Sequence, residues 1–324
     1  MKIRHFLAAV VALVLLSPVV SQGQDTYPSK PIQMVVGFPP GGSTDVLIRP
    51  LANEAKKFLG QEIVILNKPG ATGTVAAAQV ATSKPDGYTL GVTPSSSFLI
   101  APFLQDLPTD LVAETVPVLS FGKFNNAFFS KSDSQFQTLK SYIEFAKQNP
   151  GKASYGYPGV GSTPHLVMSA IVAQEDLKVN MVAFQGGHPT TTALVGGHVM
   201  LAGSSGGEWL EQFKAGQIKL LAFIDDERVE PFTDVPTVVE LGYPYPFPLY
   251  VFIYGPKGLP TPIIKKLEDA FNKASQAPAF KELCRNTGLS AKRNIFHQEL
   301  VTFLPAEKAK IGQFMKKFGL AKQP

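Results

Sequence analysis

Short runs rich in β-branched and aromatic residues alternate with helical patterns through most of the chain, and that alternation predicts parallel α/β architecture. The spacing predicts strands over 32–36, 62–66, 89–92, 153–155, 180–183, 198–202 and 218–224, and helices over 46–59, 75–82, 140–148, 165–174 and 190–195. Pro50 removes a backbone donor inside the first helix, so a kink or an early end is expected there. After Asp225 the texture changes: "DDERVEPFTDVPTVVELGYPYPFPLY" is proline-rich and reads as extended. A helix over 262–273 follows, and 298–318 reads as one long amphipathic helix or a pair. Glycine and proline make up about one residue in six and cluster at strand ends, which supports tight βα loops rather than a linker.

The N-terminus has Lys2 and Arg4, an unbroken apolar stretch from Phe6 to Leu16, and small or polar residues around Ser21 and Gly23. That layout predicts a secretory signal peptide over 1–23, cut after Gly23 with Ser21 three positions before the cut. The run falls short of the roughly 20 apolar residues that span a bilayer, and no cysteine follows it to take a lipid. The remaining chain exceeds the usual length of one core, so two domains are expected. Net charge is +5, or +3 without Lys2 and Arg4, which offers no nucleic-acid footprint yet suits small anions. Cys284 is the only cysteine, so an intramolecular disulfide and a cysteine-built metal site are both excluded. The five histidines have no metal-ligand spacing, so neither a metal nor another cofactor is expected.

Two loops have the same build. "VVGFPPGGSTDVL" (35–47) and "SYGYPGVGSTPHL" (154–166) each run from a strand through glycines into Ser, Thr and a helix. Free first-turn N–H groups then lie at the carboxyl end of a strand, where open α/β sheets bind ligands. A third loop, "FQGGHPTTTAL", follows the strand ending near Ala183. Three helix N-termini aimed at one space favour a carboxylate, although Gly and Ser or Thr before a helix also serve as ordinary caps. Nucleotide phosphate is disfavoured, because no Walker-type loop occurs and "GVGSTP" breaks the dinucleotide fingerprint at Pro164. His165 and His188 read as loop donors or surface residues. Asp45 reads as a first-turn acid that favours the helix dipole, or as an acceptor for the ligand. Phe38 and Trp209 flank the ligand or belong to the core.

The competing chemistry is hydrolysis. "AGSSGGE" places Gly203, Ser205 and Gly207 in a Gly-x-Ser-x-Gly pattern after an apolar run, with Asp225, Asp226 or Asp234 and then His297 in the chain order of a nucleophile elbow. The alternative is that Ser204, Ser205 and Gly206 form a small-residue loop that lines a cleft or caps the next helix.

The stretches "YPSKPIQMVVGFPPGGSTDVL", "EIVILNKPGATGTVAAAQVATSKPDGYTL", "FQGGHPTTTALVGGHV" with "KAGQIKLLAF", and "FTDVPTVVELGY" resemble, in this order, the substrate-binding proteins of tripartite tricarboxylate transporters, the Bug family. The resemblance implies a two-lobed periplasmic binding protein of the type II, Venus-flytrap kind: two α/β domains and a central cleft that closes on a small organic carboxylate. It implies delivery to a membrane permease of one large and one small subunit, with a sensing role at a receptor kinase as the other use of the same closure. The expected protein is a monomer without covalent chemistry. Crossings near 121–126 and 222–225 would make one lobe of 26–124 with 225–324 and another of 125–224. The loop Phe38, Pro40, Gly41, Gly42, Ser43, Thr44 and Asp45 would face Gly161, Ser162, Thr163, His165, Gly186 and Gly187, with Ser95, Ser96, Ser204 and Ser205 as further candidates. Because 200–206 has no acid where many members carry one, an amino group on the ligand is disfavoured. A di- or tricarboxylate or an aromatic acid is expected instead.

Overall fold

A computed structural model describes residues 27–322; the signal-peptide reading of 1–23, and Thr26, lie outside them. In chain order the first stretch has β1 (Ile32–Val36), α1 (Ser43–Leu59), β2 (Ile63–Asn67), α2 (Thr74–Ala81), β3 (Thr89–Pro94), the single turns α3 (Ser96–Leu99) and α4 (Ala101–Leu104), and β4 (Thr115–Phe124). The second has β5 (Ala127–Lys131), α5 (Leu139–Gln148), β6 (Ala153–Tyr157), α6 (Thr163–Gln174), β7 (Val179–Ala183), α7 (Gly187–Val195), β8 (Leu201–Ser204), α8 (Gly206–Lys214) and β9 (Ile218–Phe223). The third has β10 (Leu249–Pro256), α9 (Thr261–Ser275), α10 (Pro278–Asn286), β11 (Leu289–Ser290), β12 (Ile295–Phe296) and α11 (His297–Lys317).

These strands form two sheets. One has the order β11-β4-β10-β3-β1-β2, with β12 also on β4, and the other β7-β6-β8-β5-β9. β1 is parallel to β2 and β3, and β6 is parallel to β7 and β8. The parallel pattern gives way to antiparallel pairing where the chain changes sheets. β5 enters with Ala127 opposite Ser204, the last residue of β8, so it runs against β8 and β9. β10 likewise begins opposite the ends of β3 and β4 and runs back against both. β4, β5 and β10 were not expected as strands, because their buried apolar runs do not alternate.

Packing explains where sequence rules give way. α1 continues through Pro50 to Leu59 because Leu47, Ile48, Leu51, Ala55 and Leu59 anchor one face in the core, while Pro50 lies exposed. Burial of a Leu or Ile side chain contributes about 1.5–3 kcal/mol, enough across these four to offset one proline at about 3 kcal/mol. α11 is a single helix despite Pro305. Trp209 is fully buried against Phe213, Phe223 and Phe232, so it is core and not a ligand flank.

The chain crosses between sheets through Asn125 and Asn126. There the Ile224 N–H donates to the Asn126 carbonyl at 2.9 Å, and Lys123 Nζ pairs with Asp225 Oδ1 at 2.7 Å. The expected return to the first lobe at Asp225 comes later. Val229, Phe232 and Val235 pack on the Trp209 cluster, the Val238 N–H donates to the Phe223 carbonyl, and the Tyr245 hydroxyl donates to Gln174 at 2.7 Å. Val229, Phe232 and Val235 complete that core, whereas Tyr245 and Phe247 at the end of the proline-rich segment pack on Phe314 of α11.

Candidate functional site

A cleft of about 680 Å³ lies between the two sheets, walled by the loops that follow β1, β6, β7 and β8. From the first sheet come Phe38, Gly41, Gly42, Ser43, Thr44 and Ser96, and from the second Gly161, Ser162, Thr163, Gly186, Gly187 and Ser205. Thus loops far apart in sequence share one space. Gly41 has φ +77° and Gly186 φ +104°, left-handed turns that favour glycine.

The wall of the first sheet presents an open helix end. Gly42 is the N-cap of α1 and makes no side-chain cap, and the N–H groups of Ser43 and Thr44 have no intrahelical acceptor. Asp45 stands behind this wall. Its Oδ2 accepts from the Gly41 N–H and Arg49 Nε, each at 2.9 Å, and its Oδ1 accepts from Arg49 Nη2 and Asn67 Nδ2, each at 2.8 Å. Burial pushes its carboxyl up, but the hydrogen bonds from Arg49, Gly41 and Asn67 prevail and hold it below the usual range. Asp45 therefore shapes the loop, with its acceptors already taken.

The second wall is built differently. Ser162 caps α6 by accepting from the His165 N–H. His165 Nδ1 accepts from the Gly161 N–H at 3.2 Å and its ring lies 4.6 Å from that of Tyr157, so it braces the loop from behind; burial pushes the imidazole down. Glu208 reaches into the wall, where its Oε2 accepts from the Ser205 N–H at 2.9 Å and its carboxylate lies against Gly187. A Cβ on Gly187 would lie 1.9 Å from that oxygen, so only glycine admits it. Burial raises the Glu208 carboxyl against its hydrogen bonds. The three expected helix ends, those of α1, α6 and α7, do share the cleft: Ser162 caps α6, whereas the N-caps of α1 and α7 are glycines that make no side-chain cap.

Three other expected positions lie off the wall or behind it. Pro40 is exposed and off the wall. Ser95 is buried, its N–H donating to the Tyr250 carbonyl, and borders a separate water-sized cavity. Ser204 is buried with its hydroxyl 3.4 Å from that of Thr191. Asn126 and Glu208 are wall residues that the sequence reading passed over. Glu208 left a signal in "SGGE", a capping-box spacing from Ser205, whereas Asn126 left none.

Hydrolysis lacks its geometry. Ser205 caps α8 at the cleft, while His297 Nδ1 lies 2.6 Å from the Pro117 carbonyl near the far end of β4. Phe124, at the cleft end of that strand, is about 23 Å along from Pro117 by strand rise. Among the described residues no group of three or more His, Cys, Asp and Glu could hold a metal, and no helix is long and apolar enough to cross a membrane.

Comparison with known proteins agrees with this architecture. A UPF0065 protein in the gbd 5' region of Cupriavidus necator is 32% identical over 99% of both chains. The periplasmic binding protein BugD is 28% identical in structure-based comparison, with TM-score 0.78 over 92% of this chain and all of its own. An R. palustris protein with adipate is 26% identical, with TM-score 0.80 over 91% of this chain and 99% of its own. The family model described as "Tripartite tricarboxylate transporter family receptor" matches residues 47–320. This chain, a two-lobed α/β periplasmic solute-binding protein, belongs to the tripartite tricarboxylate transporter receptor family.

Proposed function

We propose that the chain, exported by a signal peptide over 1–23, captures a small organic carboxylate as a monomer and delivers it to a permease of one large and one small subunit. The observation that carries this reading is the uncapped N-terminus of α1 opening into the cleft. Such an end offers about half a positive charge and unpaired N–H groups, which hold an anion without a counter-cation. Gly41, Gly42, Ser43 and Thr44 hold the carboxylate, and Ser162, Thr163, Gly186 and Gly187 close over the guest. The relative with adipate supports an acid as the ligand class. The lobes are 27–124 with 249–322, and 125–245, moving about the crossings at 123–126 and 245–249.

The test is a thermal-shift screen of the purified mature chain against aliphatic, tricarboxylic and aromatic acids. An acid at one hundred times its dissociation constant should add about 2.7 kcal/mol to stability. No shift with any acid, or an esterase activity lost on Ser205→Ala, would overturn the reading.

A further inference from the structure

The two walls of the cleft differ in charge, and the difference selects among acids. No lysine or arginine lines it among the described residues; Glu208 and the exposed His188 are its only titratable side chains. On the second wall the Glu208 carboxylate accepts from the Ser205 N–H at the start of α8 and lies against Gly187 at the start of α7. A second anion arriving there meets a like charge and finds the Ser205 N–H occupied.

Two polar atoms nearby have no partner. Asn126 Nδ2 and Thr163 Oγ1 are unbonded, on residues only 4% and 2% exposed that both line the cleft. Leaving a buried donor unpaired is costly, which points to a guest atom that completes it. The pairing of Ala127 with Ser204 sets Asn126 beside Ser205, the residue whose N–H Glu208 accepts. An amide donor next to a carboxylate acceptor is complementary to a hydroxyl, which accepts from one and donates to the other. A carboxylate can only accept.

We propose that Glu208 is a charge filter: with Asn126 it receives the hydroxyl end of a hydroxy-monocarboxylate and turns away a second carboxylate. This rests on capture of the first carboxylate at α1 and narrows it. The experiment is isothermal titration of the mature protein with straight-chain ω-hydroxy acids of four to six carbons and with the dicarboxylates of the same lengths. The preferred hydroxy acid should bind at least about tenfold tighter than its matched dicarboxylate. Glu208→Gln should erase most of that ratio by strengthening the dicarboxylate, and Asn126→Ala should weaken the hydroxy acid more than the dicarboxylate. The filter is overturned if the wild-type protein holds dicarboxylates as tightly as hydroxy acids, a result that needs no variant to fold, or if Glu208→Gln leaves the ratio unchanged. The filter also falls if no acid of either series binds; the capture reading falls with it only if the wider screen of tricarboxylic and aromatic acids finds no binding either.

Discussion

Asp45 sits in the first turn of α1, where a negative charge is favoured, yet four hydrogen bonds tie it to Arg49, Asn67 and Gly41. Asp45→Asn should therefore lower unfolding free energy by about 1–3 kcal/mol at pH 7, measured by urea denaturation. The sign with pH follows from a folded carboxyl held below its unfolded value of about 3.9. Its contribution is complete above that value and fades as pH falls through the folded one, so the gap between wild type and variant should shrink on acidification. Gly42 tests the loop from the ligand's side. Its φ of −69° suits any residue, and an added Cβ would meet only the Pro39 carbonyl at 3.2 Å. Gly42→Val should leave the fold intact and weaken acid binding by at least about tenfold, through blocked approach to the α1 amides. Equal affinity would remove this loop from the site. At this scale the glycine loops were legible because Gly before Ser or Thr reports backbone conformation directly. "SGGE" reported a cap on its own helix, but nothing in it told that the same carboxylate reaches Gly187 on another.

Elements meet across the cleft at a point where two glycines touch. A Cβ on Gly206, at the start of α8, would lie 2.5 Å from the Cα of Gly288, in the turn between α10 and β11. Backbone cannot yield there as a side chain can. Gly206→Ala should hold the lobes apart, which small-angle X-ray scattering would register as a larger radius of gyration with unchanged circular dichroism; equal radii would count against contact at this point in solution. Helix and strand patterns in the βαβ runs were legible from periodicity, since each element buries one face. β4, β5 and β10 escaped because they are buried on both faces and carry no alternation. Pro50 misled for the opposite reason: a local rule yielded to the packing of five buried neighbours.

For the whole molecule, the crossing at 123–126 ties the two lobes. Lys123 and Asp225 bridge them at 2.7 Å with side chains only 15% and 3% exposed. Lys123→Met leaves a buried carboxylate without its partner, so unfolding free energy should drop by about 3–5 kcal/mol in chemical denaturation. A drop under about 1 kcal/mol would mean that water reaches Asp225 and the crossing is loosely held. Sequence alone determined the alternating α/β elements, the anion-suited loops and the family pattern, because each is written in residues near one another along the chain. The tertiary structure decided which distant loops wall the cleft, where the proline-rich segment packs, and that His297 lies far from Ser205. Those outcomes depend on which distant side chains share a space, and charge, burial and hydrogen-bond competition act through that space whatever the separation in sequence.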